Sequence, residues 1–169
     1  MFCLLIAAVA VCSCRKSPVE NICGSYSFKT GGALELKTRV IDVESGGVLL
    51  KDTIIRRNVV PESGQMRIIS ESGDRVVISM DIFAGDLVVM NAVVNGDDII
   101  LDPIDRKVFV FRESGLSVME GVNVNVSGSG KRLGGSVILD LKYQGSFDLG
   151  LYPCTIVSSN VNCVSNRNE

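Results

Sequence analysis

The chain has 169 residues, 17 Lys and Arg against 19 Asp and Glu, a net charge of −2 and no histidine. Its charges are scattered with no basic patch, so nucleic acid is not an expected partner. Without histidine, imidazole-based triads and His-ligated zinc or copper are excluded, and with them a large share of hydrolase designs.

The chain opens Met1-Phe-Cys-Leu-Leu-Ile-Ala-Ala-Val-Ala-Val-Cys-Ser-Cys14. The apolar run from Phe2 to Val11 is too short for a bilayer, which takes about 20 helical residues. Its length is that of a signal-peptide core, followed by small residues and then by Arg15-Lys16. Val11-Cys12-Ser13-Cys14 resembles a bacterial lipobox, which implies cleavage after Ser13 and a diacylglycerol on the Cys14 thiol. Cys12 competes, but the bulky Val11 before it favours Cys14. The expected organisation is a signal peptide over residues 1–13, a lipidated tether over 14–21, one β-barrel domain over 22–164 and a flexible tail over 165–169. Arg15-Lys16 lacks the Asp of inner-membrane retention and the acidic run of surface export. The expectation is therefore an outer-membrane lipoprotein facing the periplasm, with surface exposure as the alternative.

Once Cys14 carries lipid, Cys23, Cys154 and Cys163 remain. Export places them in an oxidising compartment, where accessible pairs tend to join. Two pairings are open: Cys154 with Cys163 across a terminal hairpin, or Cys23 with one of them. With no histidine to activate it, none is expected to act as a nucleophile.

The body reads as β-strands. Tyr26 and Phe28 alternate with Ser25, Ser27 and Lys29 in the first. Val76, Ile78, Met80 and Ile82 share one face of the second clear run; Val122, Val124 and Val126 share one face of the third. Val137, Leu139, Leu141 and Tyr143 form the inward set of the fourth. Turn-formers separate these runs: Gly31-Gly32, Ser45-Gly46-Gly47, Glu62-Ser63-Gly64, Ser72-Gly73-Asp74, Asn95-Gly96-Asp97, Gly128-Ser129-Gly130 and Gly134-Gly135. Residues 112–120 commit to no element and read as a loop or single turn. Short strands at spacings near ten residues predict an all-β, antiparallel barrel, with a β-sandwich as the alternative.

Three segments carry a family resemblance: Cys23-Gly-Ser-Tyr-Ser-Phe28, Val76-Val-Ile-Ser-Met-Asp-Ile-Phe83 and Val137-Ile-Leu-Asp-Leu-Lys-Tyr-Gln-Gly-Ser-Phe147. In order and pattern they resemble the calycin-like β-barrel lipoproteins of Bacteroidetes. That likeness spans residues 22–157 and implies an eight- to ten-stranded lipocalin-like barrel on a lipid tether. It brings no catalytic residue with it. Asp52-Thr53-Ile54 also resembles the O-glycosylation signal of exported proteins from that phylum, which would place a glycan on Thr53.

No motif names a reaction. Asp97, Asp98, Asp102 and Asp105 are dense enough to suggest calcium, but the apolar Ile99-Ile100-Leu101 interrupts the spacing a calcium loop needs. Gly128-Ser-Gly-Lys131 lacks the rest of a phosphate loop. Arg56-Arg57 and Lys131-Arg132 read as solvated pairs. The expectation is a protein without enzymatic activity, cofactor or metal, held to the membrane by lipid and binding a small apolar ligand or an envelope protein. Tyr26, Phe28, Phe83, Tyr143 and Phe147, with Phe109 and Phe111, are the aromatics expected to line or plug the barrel. The competing reading is an adhesive sandwich subunit that assembles through an uncharged edge strand over residues 156–164.

Overall fold

A computed structural model describes residues 17–42, 49–112 and 118–168. The leader, Cys14, the Ser45-Gly46-Gly47 turn and residues 113–117 of the uncommitted segment lie outside the described residues. Among the described residues the chain forms one short helix, α1 (Pro18–Ile22), and ten strands: β1 (Gly24–Asp42), β2 (Leu49–Asn58), β3 (Ser63–Ser72), β4 (Arg75–Ile82), β5 (Leu87–Asn95), β6 (Asp98–Phe111), β7 (Met119–Leu133), β8 (Ser136–Gln144), β9 (Ser146–Leu149) and β10 (Tyr152–Arg167). Every ladder is antiparallel, in the order β2-β1-β3-β4-β5-β6-β7-β8-β10-β9. Pairing of β1 with β10 closes a ring of eight strands, as the alternation predicts. The ring is tightest where its ladders are long and loosest between β5 and β6, which pair only through Ala92–Asn95 and Asp98–Leu101.

Two long strands change partners along their length. On one edge, β1 pairs with β3 over Gly24–Lys29 and with β2 from Ala33 onward, while β10 runs along its other edge. In the same way β10 pairs with β8 over Val161–Asn166 and with β9 over Tyr152–Thr155. The upper part of the barrel is thus walled by β2, β1, β10 and β9, together with the upper halves of β6 and β7. A bridge between Val59 and Val110 fastens the end of β2 to β6.

Alternation fills the interior with aliphatics. Leu34, Leu36, Met66, Ile68, Val76, Ile78, Ile99, Val108, Val137 and Leu139 are all at most 1% exposed. Each such side chain contributes about 1.5–3 kcal/mol of burial. A single cluster of buried residues runs from α1 to Leu149 and Cys154.

Some expected boundaries change. Residues 17–21 are not tether: Ser17 caps α1, its Oγ accepting from the Glu20 amide at 3.1 Å while the Glu20 carboxylate accepts from the Ser17 amide at 2.8 Å. Val19 and Ile22 of this helix are buried at the barrel's lower end. Nor are residues 165–168 a loose tail. Ser165 is fully buried, and Arg167 Nη2 donates to the carbonyls of Asn21 and Cys23, each at 2.8 Å. Residues 156–164 are no edge strand, because β1 pairs with them along one side and β8 with Val161–Val164 on the other.

Gly31-Gly32 and Gly128-Ser129-Gly130 are not turns; they lie within β1 and β7. A Cβ on Gly128 would sit 2.2 Å from the Asp140 carbonyl oxygen, and one on Gly130 would sit 2.3 Å from that of Ile138. These glycines let β7 press against β8. Asn95-Gly96-Asp97 is a hairpin turn, but not of the type I′ form that Asn95-Gly96 suits: Gly96 stands at φ +64° while neither Asn95 nor Asp97 has a positive φ.

Candidate mouth site and a mid-barrel ion pair

At the end opposite α1, the barrel wall opens into a pocket of about 340 Å³, within the usual range for small-molecule sites. It is lined mainly by apolar groups: Val40 of β1, Ile55 of β2, and Leu149, Leu151, Tyr152 and Cys154 around the β9–β10 turn. Their polar neighbours are already satisfied. Thr38 Oγ1 donates to the Pro153 carbonyl at 2.9 Å, and the Cys154 thiol lies 3.5 Å from the Tyr152 carbonyl.

Arg57 and Arg112 also line this pocket. Arg57 Nε donates to the Arg112 carbonyl at 2.8 Å and its Nη1 to the Arg56 carbonyl at 2.9 Å. Arg112 Nε stands 3.6 Å from Glu120 Oε2, which also accepts from the Gly150 amide at 2.8 Å. One carboxylate therefore holds both Arg112 and the turn. Among the described residues no carboxylate pairs with Arg57. Arg56 and Arg57 are not a solvated pair: Arg56 is exposed, whereas the half-buried Arg57 shares the inward face with Ile55 and Val59. The alternation Ile55-x-Arg57-x-Val59 carried that signal.

Halfway down the barrel lies a buried polar cluster. Arg106 projects inward from β6, and its Nη2 and Nη1 donate to the two carboxylate oxygens of Glu62 at 2.5 and 3.2 Å. Their side chains are 10% and 15% exposed, and among the described residues the buried Arg106 Nε has no partner. The Glu62 amide donates to Thr30 Oγ1 at 2.9 Å, and the Thr30 amide to the Glu62 carbonyl at 2.7 Å. Tyr143 and Cys163 lie within electrostatic reach. Burial, opposed by Arg106, raises the Tyr143 phenol above its ordinary range. Burial and then the Glu62 charge push the Cys163 thiol up to about 12. Both stay protonated at neutral pH, so neither supplies a nucleophile there.

The structure separates the other expected site residues. Tyr26, Phe28 and Tyr143 are core, at most 4% exposed, and Phe147 packs against that core. Tyr26 belongs to the closed end, its hydroxyl donating to the Ile22 carbonyl at 2.5 Å. Phe83 is 76% exposed on the surface turn after β4, beyond Ile82, where the inward alternation ends. It borders a shallow outer pocket of about 260 Å³, not the interior. None of these aromatics lines the mouth.

Both disulfide pairings are overturned: Cys23, Cys154 and Cys163 are free. Cys154 and Cys163 lie nine residues apart on one extended strand, β10, a separation of roughly 30 Å. Cys163 faces Thr30 across the ladder, seven residues beyond Cys23, or roughly 23 Å along β1. A disulfide needs Cα atoms within about 7 Å.

Thr53 is half-buried opposite Thr38, and its neighbour Asp52 pairs with Lys37 at 3.2 Å and Arg39 at 3.0 Å. The four clustered carboxylates diverge: Asp97 meets Arg132, Asp98 meets Lys131, Asp102 meets Arg75, and Asp105 accepts from Asn125. Among the described residues no group of Cys, Asp and Glu converges as a metal site would. No protein-family model and no curated protein matches the chain.

Proposed function

We propose that this chain is a lipid-tethered envelope protein whose barrel takes a small apolar ligand into its upper mouth. The observation that supports it is the apolar pocket of about 340 Å³ at the end of β1 farthest from α1. Its walls are mostly aliphatic and aromatic side chains, which favours an occupant with an apolar body. The leader and Cys14 supply the tether in this reading, through Cys14 acylation. Since α1 follows the tether directly and closes the lower end, the mouth faces away from the bilayer.

The test has two parts. Mass spectrometry of the mature protein is expected to find residue 14 as the acylated N-terminus; an intact Met1 would overturn the tether. Native mass spectrometry of the chain from Ser17 onward is expected to show a bound apolar species that Ile55→Glu removes. An empty barrel that also fails to take up added alkanols would overturn the ligand reading.

A further inference from the structure

The mouth is apolar but not neutral. Two guanidiniums, Arg57 and Arg112, line it, and among the described residues Glu120 is the one carboxylate held against either. One positive charge is thus uncompensated among the described residues, on the half-buried Arg57. The backbone carbonyls of Arg112 and Arg56 take Nε and Nη1 of Arg57, which fixes the plane of the guanidinium. Among the described residues Nη2 has no protein acceptor, so it keeps donor capacity at the pocket that Arg57 lines. A positive charge set at the rim of an apolar hollow, with its donor plane held, is complementary to a single negative head on a hydrocarbon body.

We propose that the mouth selects a single-chain amphiphile bearing a monoanionic carboxylate, its tail against Ile55, Leu149 and Tyr152 and its head on Arg57. This rests on the apolar-ligand reading above and names the ligand's class. A neutral alcohol of equal length makes the same apolar contacts and leaves the charge unmatched. A cationic amphiphile is repelled.

The experiment uses the full-length protein in its native membranes. A photoreactive carboxylic acid of about ten carbons, with a diazirine in its chain, is compared with the corresponding alcohol. After irradiation, the labelled peptides are mapped by mass spectrometry. The acid is expected to label residues 149–154 about tenfold more than the alcohol, the worth of one charge-assisted hydrogen bond. Arg57→Gln is expected to bring that ratio close to one, while Arg56→Gln, on the outer face, leaves it unchanged. Equal labelling of the mouth by acid and alcohol in the unaltered protein would overturn the head-group assignment and leave the apolar reading standing. No labelling of the mouth by either probe would overturn both. Because the acid-to-alcohol comparison is made in the unaltered protein, the outcome does not depend on Arg57→Gln folding.

Discussion

Glu62 sits where the chain crosses from the upper wall to the lower ring, between β2 and β3, and Arg106 clamps that crossing to β6. A buried pair of this kind loses most when one partner is removed, because the other charge is left desolvated and alone. Arg106→Met is therefore expected to lower unfolding stability by about 3 kcal/mol in a urea titration. The double change Glu62→Leu with Arg106→Met should recover most of that loss, since two apolar groups leave no stranded charge. If the double variant is as weak as the single, the clamp is not electrostatic. The Arg106 Nε without a partner already marks this pair as imperfectly compensated. Cys163 follows the same logic of burial. Fully enclosed and held protonated, it should resist iodoacetamide in the folded protein and react only once urea unfolds it.

At the scale of elements, glycine has two different jobs in this chain. In the hairpin turns it supplies positive φ, as at Gly96 and at Gly134, where φ is +61°. Inside β7 it supplies absence of bulk. Gly134→Ala is expected to cost about 1 kcal/mol of backbone strain, because nothing stands near its added methyl. Gly130→Val should cost more, about 2–3 kcal/mol or failure to fold, because its side chain would meet the Ile138 carbonyl and Leu139. Thermal unfolding of the two variants side by side tests the distinction, and similar shifts would refute it. Helix α1 offers a third element-scale test. Ser17→Ala removes the cap and should lower stability by about 1 kcal/mol, with amide exchange accelerated at Glu20.

For the molecule as a whole, the buried acids predict an alkaline limit. Cys163 ionises near 9.0 in an unfolded chain but only at about 12 in the barrel, and Tyr143 is raised in the same direction. Between those values the unfolded chain binds fewer protons than the folded one. Stability is then complete below pH 9 and falls as pH rises, by up to about 1.4 kcal/mol per unit for each group. Urea midpoints measured from pH 8 to 11 should show that decline, and Cys163→Ala should flatten its first part. An unchanged slope would mean that Cys163 opens to solvent before it ionises. The two ends of the barrel differ in construction as well. The lower end is tied by Arg167, Tyr26 and α1, whereas the upper end leaves a pocket between β2 and the β9–β10 turn.

What the sequence determined by itself is the set of properties written in short-range pattern. Period-two alternation fixes which side chains of each strand face inward, because successive residues point to opposite faces. The same local logic reaches the Ser17–Glu20 capping box and the inward place of Arg57, both legible though easily passed over. What only tertiary structure decided is height along the barrel and choice of partner. Alternation assigns Tyr26, Phe28 and Tyr143 to the interior without saying that they fill its lower and middle parts, while Leu149 and Tyr152 border the mouth. Cys154 and Cys163 look like hairpin partners until one strand, paired to β1 along its length, holds them apart. Gly128 and Gly130 look like a turn until β8 is seen pressed against them. Glu62 and Arg106 meet across 44 residues of chain. Such meetings depend on how long strands exchange neighbours around a closed ring, and that register is a property of all the ladders at once.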